Sequence, residues 1–314
     1  MARIVHTFGI LGVLAAGTAG AVAAEPESCQ SPRFSDVGWT DITATTATAG
    51  LILEKLGYTP DISVLSVAVT FQALQQGDID IFLGNWMPLQ EPTATPLIDS
   101  GAIEVVGTNL EGARIGFAVP AATYEAGLRT YSDIADFHDE LRGQIYGIEA
   151  GSSANETISQ MIANDTFGLG DFTLVESSEQ AMLSQVESSI RQDEPVLFFG
   201  WRPHPMNVRL DMRYLEDGND AFGPNDGAAT VQTNTRAGYS SECPNVGALL
   251  ENMVFTVEDE DLLMSYILDE DMQPATAAER WLKDNPQTID AWLEGVTTLR
   301  GEPGAAAVRQ GLGL

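Results

Sequence analysis

Three times in this chain a short apolar or mixed run ends in a glycine-tryptophan corner. The corners are Gly38-Trp39-Thr40-Asp41, Gly84-Asn85-Trp86-Met87-Pro88 and Gly200-Trp201-Arg202-Pro203-His204-Pro205. The last follows Pro195-Val196-Leu197-Phe198-Phe199, and an apolar run bounded by proline and glycine reads as a buried strand. In open α/β sheets, ligands sit at the carboxyl ends of strands. Three of the five tryptophans therefore stand where such a sheet would present side chains to a ligand. Trp281 and Trp292 lie in the helical C-terminal third and read as core anchors.

The segments around these corners alternate. A strand over 33–38 is followed by a helix over 42–56, started by Thr40 or Asp41 as N-cap and stopped by Gly57. A strand over 62–67, a helix over 70–76 and a strand over 80–83 lead to Trp86. This β-α-β-α-β progression is the signature of a parallel sheet. Strands are expected over 103–107 and 113–119, and a second α/β unit starts near Tyr131. It has helices over 132–141, 155–164 and 178–191 and strands over 145–149, 173–175 and into Trp201. A strand over 229–234 precedes helices over 244–252, 258–268, 274–284 and 288–295. The pattern predicts two α/β lobes in which the chain leaves the first, builds the second and returns. The first lobe is assigned to 25–112 and 227–314, the second to 113–226.

Residues 1–24 carry Arg3, an apolar stretch from Phe8 to about Val22 and the small residues Ala21-Val22-Ala23-Ala24. That is the pattern of a secretory signal peptide, and the stretch is short for a membrane span. A periplasmic location follows as the expectation. In an oxidising compartment the two cysteines, Cys29 and Cys243, are most simply one disulfide joining the two pieces of the first lobe. Free thiols or metal ligands are the alternative. The chain has 45 acidic against 15 basic residues, a formal net charge of −30. Such a balance argues against nucleic acid or an anionic membrane surface as a partner.

Catalytic signatures are missing from the sequence: no G-x-S-x-G elbow, no H-E-x-x-H, no Walker A loop, and no G-x-G-x-x-G after a strand. Beyond residue 24 there are two histidines, His138 and His204, the first reading as a solvated helix residue. The chain is thus expected to be neither an enzyme nor a holder of a metal or cofactor. An enzyme or a ligand-sensing lobe on the same fold is the alternative. Converging indole faces attract cations without sharing a proton and cage quaternary ammonium groups. Trp39, Trp86 and Trp201 with the acid Asp41 would make such a pocket.

These motifs, together with Ser177-Ser178-Glu179-Gln180, Phe222-Gly223-Pro224-Asn225 and Glu242-Cys243-Pro244-Asn245, resemble periplasmic choline- and glycine-betaine-binding proteins of ABC importers. The choline-binding branch is the nearest in pattern. The resemblance covers nearly the whole chain after residue 24. It implies a type II periplasmic binding protein, two α/β lobes hinged around a ligand cleft, serving a permease in the inner membrane as a monomer. Trp39, Trp86 and Trp201 match box tryptophans, and Asp41 matches an acidic ligand contact. Three positions depart from the choline-binding pattern. Ile115 stands for a box tyrosine, with Phe117 on the same strand face; Ser152 stands for an asparagine that holds the ligand hydroxyl; Arg202 stands for an acidic residue. Ser152 and Ser153 at a helix N-terminus, with His204 and Arg202, would suit a carboxylate, whereas Asp41 would repel one. Glycine betaine, dimethylsulfoniopropionate and choline are the expected ligands.

Overall fold

The computed structural model describes residues 25–314; residues 1–24, expected to be a signal peptide, lie outside them. Among the described residues nine strands form one sheet, in the order β2-β1-β3-β9-β4-β7-β5-β6, with β8 paired to β4. The strands are β1 Arg33–Asp36, β2 Asp61–Val64, β3 Ile81–Met87, β4 Ile103–Pro120, β5 Gln144–Tyr146, β6 Thr173–Val175, β7 Leu197–Arg202, β8 Met212–Tyr214 and β9 Ala228–Arg236. β1 pairs in parallel with β2 and β3, and β5 in parallel with β6 and β7. Both parallel groups are the α/β progressions legible in the sequence. Between them run β9 and the long β4, paired antiparallel from Ile103↔Arg236 to Arg114↔Ala228.

The sequence predicts two strands over 103–107 and 113–119, and the structure joins them into β4. The join is irregular: the pairing with β9 shifts register three times, last between Leu110 and Ala113. Gly112 there has a positive φ. Opposite Ile115, Gly227 has φ +95° and so close a backbone neighbour that a Cβ would lie 1.8 Å from the Ile115 carbonyl oxygen. Only glycine fits such an approach.

Most observed helix ends lie within two residues of those expected. Ser66, Ser152 and Ser178 cap helices Val67–Gln76, Ser153–Ala163 and Glu179–Arg191, each accepting a backbone N–H. Helix Thr40–Lys55 differs, since its start has no side-chain cap of its own. Residues 132–141, expected as an α-helix, hold the 3-10 turn Tyr131–Phe137. The C-terminal helices Val257–Leu268 and Pro274–Asp284 pack on helix Thr40–Lys55. Trp281 and Trp292 are buried and stack on each other at 5.5 Å, so they are core anchors. Cys29 and Cys243 form a disulfide across 214 residues.

Candidate ligand-binding site

Trp86 and Trp201 lie inside strands rather than after them. β3 continues through Gly84-Asn85-Trp86 across a bulge, and β7 continues to Arg202. Strand pairing explains what gathers around Trp201. Ile115 pairs with Trp201 and Phe117 with Phe199, so all four share one face of the sheet. After β7 the Asn207 amide donates to the carbonyls of Trp201 and His204, both at 2.8 Å, and closes the turn. Trp39 is set differently. Asp36 accepts from the Gly38 N–H and the Thr43 hydroxyl, both at 2.8 Å, holding the loop from β1 into helix Thr40–Lys55.

These elements enclose a cavity of about 30 Å³, lined by Trp39, Asp41, Trp86, Leu89, Ile115, Ile148, Ala154, Phe199 and Trp201. One water needs ~10–15 Å³ on that scale, so a compact head group fits and a nucleotide or peptide does not. Two of the three box indoles hold their N–H groups on acids. The Trp86 N–H donates to Asp41 Oδ2 at 3.0 Å, and the Trp39 N–H to Glu149 Oε1 at 2.7 Å. Trp201 stacks on Phe199 at 5.8 Å and meets His204 edge-on at 4.9 Å.

Asp41 is 1 % exposed, and its Oδ1 has no protein partner. Burial pushes its carboxyl up to about 7, with the nearby Glu179 charge adding to the rise. Burial also raises Glu149 above the ordinary carboxyl range. The buried Glu260 is raised well above it, by burial and then by Asp41. Four acids thus surround the box, while no basic side chain lines the cavity. Such a lining favours a cation whose charge needs no hydrogen bond.

Of the residues singled out in the sequence, Trp39, Asp41, Trp86, Trp201 and Ile115 come together at the cavity. The other four do not line it. Phe117 sits one pair deeper than Ile115 and is fully buried against Tyr131 and Phe222. Ser152 spends its hydroxyl capping the next helix through the Asn155 N–H. His204 is buried between the Met206 N–H, at 2.9 Å from Nδ1, and Glu179, at 3.2 Å from Nε2. Arg202 points outward, half exposed, 3.8 Å from Glu258. The carboxylate-binding set suggested by Ser152, His204 and Arg202 is therefore not assembled here. Sequence reasoning missed Leu89, Ile148, Ala154, Phe199, Glu149 and Glu179. Phe199 was findable, being two residues before Trp201 and so on its face. Among the described residues the Cys29, Glu242 and Cys243 cluster has metal-ligand chemistry, and both of its sulfurs are tied in the disulfide.

A mixed α/β sheet with a tryptophan-lined apolar cavity at the meeting of its two parallel groups defines a small-solute binding protein. The comparisons give the family. Residues 33–284 match the OpuAC family, the substrate binding domain of the ABC-type glycine betaine transport system, and the chain belongs to it. An ABC-transporter choline binding protein in complex with choline is 52% identical, with TM-score 0.90 over 92% of this chain and 100% of that one. An unliganded semi-closed form of an ABC-transporter choline binding protein, with the same identity and coverage, gives TM-score 0.85. The glycine betaine/carnitine transport binding protein GbuC of Listeria monocytogenes is 27% identical over 175 residues, 56% of this chain and 57% of that one. Family and neighbours are transport substrate-binding proteins, not enzymes. Substrate-binding proteins of ABC importers work outside the cytoplasm, and no helix among the described residues is long and apolar enough to cross a membrane.

Proposed function

We propose that this protein captures choline, or a choline-like onium compound with an uncharged polar tail, and hands it to an ABC permease in the inner membrane. The observation that carries the reading is Asp41, a fully buried acid on the wall of a tryptophan box with one oxygen unpartnered. Trp39, Trp86 and Trp201 hold the onium head by cation–π contacts, each worth ~0.5–2 kcal/mol and more as water is excluded. Asp41 Oδ1 takes the hydroxyl of the tail. A carboxylate tail would meet Asp41 with Glu149 and Glu179 close by and no cation lining the cavity. Glycine betaine and dimethylsulfoniopropionate are therefore ranked below choline.

The reading carries the rest of its setting with it: export through the signal peptide 1–24, a periplasmic monomer, and the two lobes 25–112 with 227–314 and 113–226. The lobe division draws support from the strand join, where β4 and β9 pair at Ala113↔Ala229 and Arg114↔Ala228, with a positive-φ glycine, Gly112 or Gly227, next to these pairs on each side.

Calorimetric titration of the mature protein with choline, glycine betaine and dimethylsulfoniopropionate tests the ligand. Choline should bind tightest, and Trp86→Ala and Trp201→Ala should each weaken it by ~10-fold or more. Tighter binding of either carboxylated compound would overturn the ranking. Unaltered affinity in both variants would sink the aromatic box.

A further inference from the structure

We infer that Glu179, which lines no part of the cavity, is the positioning residue that locks two of the box tryptophans together when the lobes close. The inference rests on the two-lobe reading above. Glu179 opens helix Glu179–Arg191 and is 2 % exposed. Its Oε2 accepts the Thr40 backbone N–H at 3.0 Å, and its Oε1 accepts the Thr40 hydroxyl at 2.6 Å. The same Oε1 lies 3.2 Å from His204 Nε2. Because His204 Nδ1 accepts the Met206 N–H, the ring proton belongs on Nε2 and is donated to Glu179.

One carboxyl group therefore ties the residue after Trp39 to the imidazole that meets Trp201 edge-on. Thr40 is the first residue of helix Thr40–Lys55, whose start has no local side-chain cap. Glu179 supplies that cap from 139 residues away, where a negative group also suits the helix dipole. Thr40 belongs to the first lobe and Glu179 with His204 to the second, so the bonds to Thr40 exist only in the closed arrangement. The Trp39 to Glu149 bond crosses the same gap beside it. Closure and alignment of the box thus become one event. A ligand already between the faces of Trp39 and Trp201 is held for as long as the Thr40 to Glu179 bonds last.

Interactions made only in the closed state slow release more than they change capture. Stopped-flow fluorescence with choline is the test, on wild type, Glu179→Gln and Thr40→Val. The threonine variant removes the hydroxyl and keeps the backbone N–H, so it covers a failure of the glutamine variant to fold. Dissociation should quicken by ~5-fold or more in each folded variant, with association within about threefold of wild type. A part in folding alone would lower the denaturation midpoint and leave the dissociation rate within about twofold, and that result would overturn the inference. If wild type takes no choline, the ligand reading falls by itself. Scattering of the ligand-free proteins then decides: larger radii of gyration in the variants support the lock, and equal radii overturn it.

Discussion

Asp41 is where ligand chemistry and stability pull in opposite directions. Its carboxyl is held at about 7 against an ordinary value of 3.8, burial being the main cause. A carboxyl raised in the folded state stabilises the fold while protonated. That contribution is complete below 3.8 and is lost as pH rises through about 7. Its upper limit is on the order of 4 kcal/mol. The ligand-free Asp41→Asn variant should therefore gain on wild type as pH rises from 3.8 to about 7, read as the difference in denaturation midpoint. Binding runs the other way, because an onium head and its tail are held best by the ionised acid. Wild-type affinity should climb between about pH 5.5 and about pH 7, by up to ~10-fold per unit, and then level off. Asp41→Asn should bind more weakly with no such climb, which calorimetry at both pH values checks. Parallel curves for the two proteins would remove Asp41 from the ligand.

At the scale of elements, local signals were read well where the partner was near in sequence. Gly77 ends helix Val67–Gln76 where expected, because its bonds span only a few residues, while the start lies three residues before the expected 70, at the Ser66 cap; helix Glu179–Arg191 starts one residue after the expected 178, which is its cap. Helix Thr40–Lys55 starts two residues before the expected 42, since its first N–H is satisfied by Glu179 across the fold. The fusion of two expected strands into β4 has the same origin. Its irregular middle is held by β9, which arrives more than a hundred residues later. Gly227 belongs to this crossing, with a positive φ and the Ile115 carbonyl in the way of any Cβ. Gly227→Ala should cost ~2 kcal/mol or more through strain and displaced backbone. Chemical denaturation measures it, and a change below about 0.5 kcal/mol would mean the crossing yields easily.

For the whole molecule, the Cys29–Cys243 bond joins residues 214 apart and pins the segment around Cys29 next to helix Pro244–Asn252. In the chain-entropy model so long a loop contributes ~4–5 kcal/mol, with measured values often lower. The Cys29→Ala/Cys243→Ala protein should lose ~2–5 kcal/mol in denaturant titrations, and an unchanged midpoint would show that the core carries the fold unaided. The charge of −30 acts at this scale too, favouring the arrival of a cation over that of an anion.

The sequence alone determined the α/β alternation, the helical C-terminal third, the cysteine pairing and the residues Trp39, Asp41, Trp86, Trp201 and Ile115 at the site. The alternation follows from side-chain periodicity and turn chemistry, the pairing from there being two cysteines in a chain expected to be exported, the tryptophans from short motifs, and Asp41 and Ile115 from the family resemblance. Tertiary structure alone decided that Phe117, Ser152, His204 and Arg202 do not line the cavity. It also decided that Phe199 and Ile148 line it, and that Glu149 and Glu179 steady it from behind. Those outcomes depend on which strand lies opposite which, and on acids more than a hundred residues from the groups they bind. A hydrogen bond between such distant groups leaves no local pattern to read; it exists only once the sheet has brought both ends to one place.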